Sequence, residues 1–287
     1  MTQNSNISVL PWYGSLDEQL HRLPYSYGET YPLFTPANSL LPFQIMRETR
    51  TNTAAEITAV LFTIDGEEVE NITTTLRETG IEIVKLADYD VIVYPARIYM
   101  ATNWQDGRYY VRLNDGVQTW YSEVFTVVQS MNSYIMLEWW NLENLVFDSG
   151  TIVYREPLFH NRLYLCSEIG KPEYTFEEDG ETRDGYFFPN KQLSEKTYKF
   201  TILAPEYLCD VLRLVRMSDY VRLRDQYGRV YNADTFLITP QWQTQGNLAS
   251  VEVEYQTDTV VKKLGYGYTP QDTGDYNSDF NNDFNNQ

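Results

Sequence analysis

The sequence predicts a mainly β chain: two β-sandwich-like domains, one short helix in the second, an extended N-terminal arm and a C-terminal tail. Three observations point there. Aromatic residues make up 15% of the 287 positions, with 24 tyrosines, and aromatic side chains suit half-buried pleated surfaces. Short runs of alternating apolar and polar residues recur between tight-turn signals, the pattern of an antiparallel sandwich. Long Ala/Leu/Glu/Lys stretches of helical period are absent.

Residues 1–38 include NISVLPWYGSLDEQLHRLPYSYGETYPLFTPAN, which is rich in Pro, Tyr, Trp and Phe but has no sustained period. It is too aromatic for a solvated linker and is expected to lie as an arm on another surface. Trp12, Tyr13, Tyr25, Tyr27 and Tyr31 are its candidate interface residues, and LDEQLHRL (16–23) offers one or two helical turns.

Residues 39–128 supply about seven short strands. PFQIMRETR alternates, TAVLFTI leads into Asp65-Gly66, a tight-turn pair, and GIEIVKLADYDVIVYPA alternates again. The segment GRYYVRLNDGVQTWYSEVFTVV (107–128) then reads as a closing hairpin turned at Asn114-Asp115-Gly116. Strict alternation would place Trp120 on one face with Ser122, Val124 and Thr126, and Tyr121, Glu123, Phe125 and Val127 on the other.

Residues 129–264 form the second expected domain. SYIMLEWWNLENLVFDSGTIVY gives two strands; within it Trp139 and Trp140 face opposite sides, so either is a candidate for core or interface. An acidic polar loop is expected near 177–185. A helix near 205–216 follows from Pro205 at its first turn and Leu208, Val211, Leu212 and Val215 on one face. Asp225-Gln226-Tyr227-Gly228 turns a hairpin, and NLASVEVEYQTDTVVKK reads as one long final strand. Residues 265–287 are a low-complexity acidic tail in which Tyr276, Phe280 and Phe284 are further interface candidates.

Chemistry is sparse. The formal net charge of −18 makes direct nucleic-acid binding a poor expectation, because that binding depends on Lys and Arg neutralising phosphates. His21 and His160 lie far apart, and with Cys166 and Cys209 they occupy four unrelated segments, so neither a triad nor a zinc site is expected. Both thiols sit in apolar strings, so buried free thiols are the expectation, with one bridge between them left open. No GxxxxGK[ST] loop occurs, and GYGY (265–268) precedes no helix. Paired carboxylates are the one remaining catalytic option: Glu177, Glu178, Asp179, Glu181 and Asp184 cluster, and Glu138 adjoins the two tryptophans. The Asp272, Asp275, Asp279 and Asp283 series lacks calcium-loop spacing. No cofactor, metal or catalytic residue is therefore expected. No secretory signal is read at the N-terminus, and no apolar stretch reaches the roughly 20 residues of a membrane helix.

Two resemblances add to this reading. Tyr109-Tyr110-Val111, a turn, and Trp120-Tyr121-Ser122-Glu123 resemble the last hairpin of a fibronectin type III or immunoglobulin-like module, although the early-strand Trp and the Cys pair of that pattern are missing. More broadly, LPFQIMRETRTN, DVIVYPA, DGVQTWYSEVFTVV, EWWN, KPEYTFEEDGETRDGYFFP, LAPEYLCDVLRLVRMSD and TDTVVKK resemble virion structural proteins of tailed bacteriophages infecting gut Bacteroidales, the crAss-like group and related prophages. That resemblance implies a non-enzymatic tail, collar or connector component in a symmetric ring. Its partners would be copies of itself and other tail or portal-proximal proteins, and its place the virion, after synthesis in the host cytoplasm. The rival expectation is a carbohydrate- or receptor-binding sandwich in which Trp120, Tyr121, Trp139 or Trp140 forms a stacking platform.

Overall fold

The N-terminal arm is woven into the first sheet. In the computed structural model, which describes residues 8–21, 33–95, 104–147, 150–154, 159–242, 248–257 and 261–264, β1 (Trp12–Tyr13), α1 (Leu16–His21) and β2 (Phe34–Pro36) come from the arm. They are followed by β3 (Phe43–Glu48), β4 (Thr58–Thr63), β5 (Glu68–Asn71), α2 (Thr73–Glu78), β6 (Glu82–Lys85), β7 (Tyr89–Tyr94), β8 (Gly107–Asn114), β9 (Thr119–Ser122) and β10 (Phe125–Val128). Strand β8 is central: β4 lies along one edge, with β5 beyond it, and β9 and β10 share the other. Outside these, β1 pairs antiparallel with β9 and β2 parallel with β10. A second, three-stranded sheet has the order β3-β7-β6.

The segment 107–128 does form a hairpin, but its faces differ from strict alternation. Trp120, Phe125 and Val127 all enter the main core, while Val124 packs with Phe62 and Tyr110 on the opposite face. The phase slips at Glu123, which is fully buried. Its own N–H donates to the Pro11 carbonyl at 2.7 Å, its Oε1 accepts from the Val124 N–H at 2.7 Å, and its Oε2 accepts from the Tyr13 hydroxyl at 3.1 Å. Neighbouring Ser122 accepts from the Val111 N–H through its hydroxyl, and its carbonyl accepts from the Gln19 amide. A buried carboxylate needs such donors, and the arm supplies the Tyr13 hydroxyl, while Pro11 and Gln19 bond the backbone beside it. Trp12 completes the link, with its ring 4.6 Å from that of Phe43.

A buried ion network ties the two sheets at the hairpin turn. Asp115 accepts from the backbone N–H groups of Val117 and Gln118, from Arg47, and from Arg50 at 2.6 Å. Arg47 also reaches Asp90, its register partner across β3 and β7, and Lys85 caps Asp90 at 2.7 Å. Burial pushes both aspartates up, yet the donors and cations outweigh it and leave both below the ordinary value.

The second half contains β11 (Tyr134–Trp140), β12 (Leu145–Phe147), β13 (Gly150–Ile152), β14 (Asn161–Cys166), β15 (Glu173–Arg183), β16 (Tyr186–Ala204), α3 (Glu206–Val215), β17 (Tyr220–Arg224), β18 (Val230–Trp242), β19 (Ala249–Thr257) and β20 (Val261–Leu264). The main sheet here runs β14-β11-β17-β18-β19-β16-β15, with β20 added beside β16, while β12 and β13 pair separately. The expected helix is α3, and Leu208, Val211, Leu212 and Val215 are all buried. The turn at Asp225–Gly228 forms, with Gly228 at φ +80 and Asp225 accepting from the Tyr227 and Arg229 N–H groups. The final strand is divided into β19 and β20, which pair with different parts of β16. Helix α2, which the sequence reading did not mark, buries Leu76 beside Ile72.

The fold is thus mainly β and sandwich-like. One apolar cluster runs from Val9, Trp12 and Leu33 through Trp120 and Trp139 to Val253 and Tyr255, drawing on arm, first half and second half alike. Contact between the Phe34 and Tyr134 rings at 5.0 Å joins the arm's second strand to β11. Cys166 is exposed and Cys209 buried. Both thiols are free, as expected, but only Cys209 is buried; Cys166 is the last residue of β14 and is exposed. Among the described residues no helix is long and apolar enough to cross a membrane.

Candidate functional site

The acidic segment expected as a loop near 177–185 is instead most of a long β-hairpin. Strand β15 has 11 residues and β16 has 19, paired from Glu173↔Thr197 to Arg183↔Tyr186. The turn is Asp184-Gly185, with φ of 52 and 82, the two-residue turn whose positive φ values match strand twist. The base of β16 belongs to the domain: Tyr198, Phe200, Ile202 and Ala204 are buried and pair along β19. Among the described residues its distal half is flanked only by β15 and β20.

That distal half carries aromatic residues that the core does not take up. Tyr174 is 57% exposed, Phe176 72%, Tyr186 72%, Phe187 48% and Phe188 53%. The register sorts them: Tyr174, Phe176 and Phe187 fall on one face, Tyr186, Phe188 and Leu193 on the other. A bulge between Asp179 and Gly180 sets this division, with Pro189 where the ladder is interrupted and a missing N–H costs least. Gly180 is required there, since a Cβ would stand 2.3 Å from the Phe188 carbonyl oxygen. Acidic residues alternate with the aromatics along β15, a pattern that discourages unselective edge pairing. Lys196 sits 5.6 Å over the Tyr174 ring, leaving Phe176 and Phe187 as apolar surface further out.

A second cluster lies on the face of β14, β11 and β17 opposite Trp139, where the register aligns Arg162, Glu138 and Arg222. Glu138 accepts from Arg162 at 2.7 Å and stands 3.8 Å from His160 Nδ1 and 3.6 Å from Arg222. Beside it Trp140 stacks between His160, at 4.3 Å, and Tyr220, at 5.1 Å, with the Arg222 guanidinium 5.1 Å from its ring. Burial of Glu138 favours the neutral acid, but His160 and Arg162 overcome it and hold the carboxyl down at about 2. Glu138 is therefore an anion that clamps three strands, the wrong protonation state for a general acid. Among the described residues no three His, Cys, Asp or Glu side chains gather as a metal site.

The other sequence candidates separate clearly. Trp12 and Tyr13 are buried within the chain, Trp139 is in the main core, and Trp140 is half-buried in its stack. Tyr25, Tyr27, Tyr31, Tyr276, Phe280 and Phe284 lie outside the described residues, as does the Asp272–Asp283 series. Trp120 and Trp139, two rings of the expected stacking platform, are buried. The exposed hairpin aromatics were absent from the sequence candidates, although Asp184-Gly185 between Tyr174-Thr-Phe176 and Tyr186-Phe-Phe188 is itself a hairpin signal. Comparison with protein-family models, with curated proteins and with solved structures finds no match.

Proposed function

We propose that the chain is a non-enzymatic building block of a symmetric assembly, a tail, collar or connector ring of a phage virion, that holds its neighbours through the β15–β16 hairpin. The observation that carries this reading is the hairpin itself: five large aromatics, each about half exposed or more, stand beyond the sheet on a chain of net charge −18. Exposed aromatics gathered on one element mark an interaction surface more often than scattered apolar residues do, and aromatic residues are enriched at interfaces. The specific placement in a phage particle rests on the resemblance of sequence phrases alone. Heterologous contacts repeated around an axis close into a ring. Distal tail residues Tyr276, Phe280 and Phe284 would add contacts to neighbouring subunits. Imaging the full chain at rising concentration is the test. Closed rings of identical subunits support the proposal, and a monodisperse monomer at every concentration overturns it.

A further inference from the structure

The two faces of the β15–β16 hairpin differ in charge. Tyr174, Phe176 and Phe187 share one face with Glu178 and Lys196. From Thr175↔Glu195 out to Glu181↔Phe188, the other face holds Glu177, Asp179, Glu181 and Glu195 against one cation, Lys191. Phe188 and, at the turn, Tyr186 stand exposed on that acidic face. The opposite charge gathers elsewhere on the same sheet, where Arg162, Arg222 and Arg224 share β14, β11 and β17 with one carboxylate, the buried Glu138. Arg224 and Tyr220 are exposed there, as is Val230 opposite Arg224, and Arg222 is partly exposed. We propose that the acidic hairpin face of one copy docks on the arginine face of a second copy.

This contact rests on the assembly proposed above and names the surface that receives the hairpin. Copies of a chain of net charge −18 repel one another at long range. Contact is therefore favoured where a basic patch of one copy meets an acidic patch of the other. Guanidinium groups fit both parts of the hairpin face, since they pair with carboxylates and stack on aromatic rings. The receiving face already shows the second habit, with the Arg222 guanidinium 5.1 Å from the Trp140 ring. Arg, Trp and Tyr, with Met136 in register with Arg224, are residue types enriched at interfaces. One chain cannot close this contact on itself. Both patches lie on the side of the sheet opposite the core residues Leu137, Leu223, Phe236, Tyr255 and Phe200. In the order β17-β18-β19-β16-β15, four strand steps separate them, about 19 Å. Patches that point the same way from one sheet meet their complements only on a second copy. Each copy then gives its hairpin to one neighbour and its arginines to another, the heterologous repeat from which rings close. Phe176 and Phe187 keep the burial already assigned to them, and the acidic face sets where the hairpin lands.

Charge reversal on the full chain, read by sedimentation, tests this. Glu177→Lys/Glu181→Lys on the hairpin and Arg224→Glu on β17 should each weaken self-association on the order of 10-fold or more. Mixed in equal amounts, the two variants should associate as the wild type does. The reversed hairpin then meets the reversed face, and the native hairpin meets the native face. Arg224→Ala, which introduces no like charge, should weaken association less and in the same direction. Wild-type association should also fall as salt rises. Unchanged association by either reversed variant, or a mixture as impaired as its components, overturns this contact while leaving the assembly reading standing. A wild-type chain that stays monomeric at every concentration overturns the assembly reading itself, and this contact with it.

Discussion

Replacing Trp12 with Ala should destabilise the whole fold, although residue 12 lies in a segment whose sequence reads as a loose arm. Trp12 is 3% exposed, its ring is 4.6 Å from Phe43, and its strand holds the edge of β9. Large-to-small changes at buried aromatic positions cost about 3–5 kcal/mol, the lost transfer energy plus the cavity left behind. The lower half of that range applies if β1 detaches and the site collapses. The upper half applies if Tyr13 stays bonded to Glu123 and holds the cavity open. With a urea dependence of about 3 kcal/mol per M for a chain of this size, the midpoint should fall by about 1–1.7 M. Equilibrium urea unfolding followed by tryptophan fluorescence and circular dichroism measures it. A midpoint shifted by less than about 0.2 M would refute the packing account, since no buried Trp is removed so cheaply.

Three other perturbations separate the remaining elements. Asp115→Ala leaves Arg47, whose side chain is 0% exposed, without its main partner, so thermal or urea unfolding should show a loss of about 3–5 kcal/mol. Glu138 has its carboxyl lowered from 4.5 to about 2; its contribution is complete above the ordinary value and is lost as pH falls through that window. Stability titrated from pH 5 to pH 2 should therefore drop by at most about 3 kcal/mol from this group, and Glu138→Gln should flatten that part of the profile. Gly180→Val should disrupt the distal hairpin, because the new side chain meets the Phe188 carbonyl. Exchange of hairpin amides should rise while global stability changes by less than about 1 kcal/mol, the bulge lying outside the core.

Local rules made some of this fold legible and hid the rest. Helix α3 followed from Pro205 and four apolar residues on one face, and the 107–128 hairpin from its Asn-Asp-Gly turn, because both signals are contained within a few residues. The faces beyond Glu123 were not legible. Their phase depends on a buried carboxylate satisfied by Tyr13 and Val124, and Tyr13 is distant in sequence. The arm's burial depends likewise on pairing with β9 and β10. The hairpin was hidden for a different reason. Its acidic residues gave a loop-like composition, although they alternate with Tyr174 and Phe176 as a strand requires. His160 and Glu138 meet only because β14 and β11 are neighbours, which neither segment announces.

The most direct test of the hairpin as the assembly surface is the self-association of a Phe176→Ser variant beside the wild type. Phe176 is 72% exposed; burying that surface in a contact is worth about 1–2 kcal/mol, or about 5–30-fold in the dissociation constant per interface. Sedimentation across a concentration series should show wild-type chains associating, and the variant requiring correspondingly higher concentration while its unfolding midpoint is unchanged. Equal association by variant and wild type would contradict the central claim and move the interface away from the hairpin.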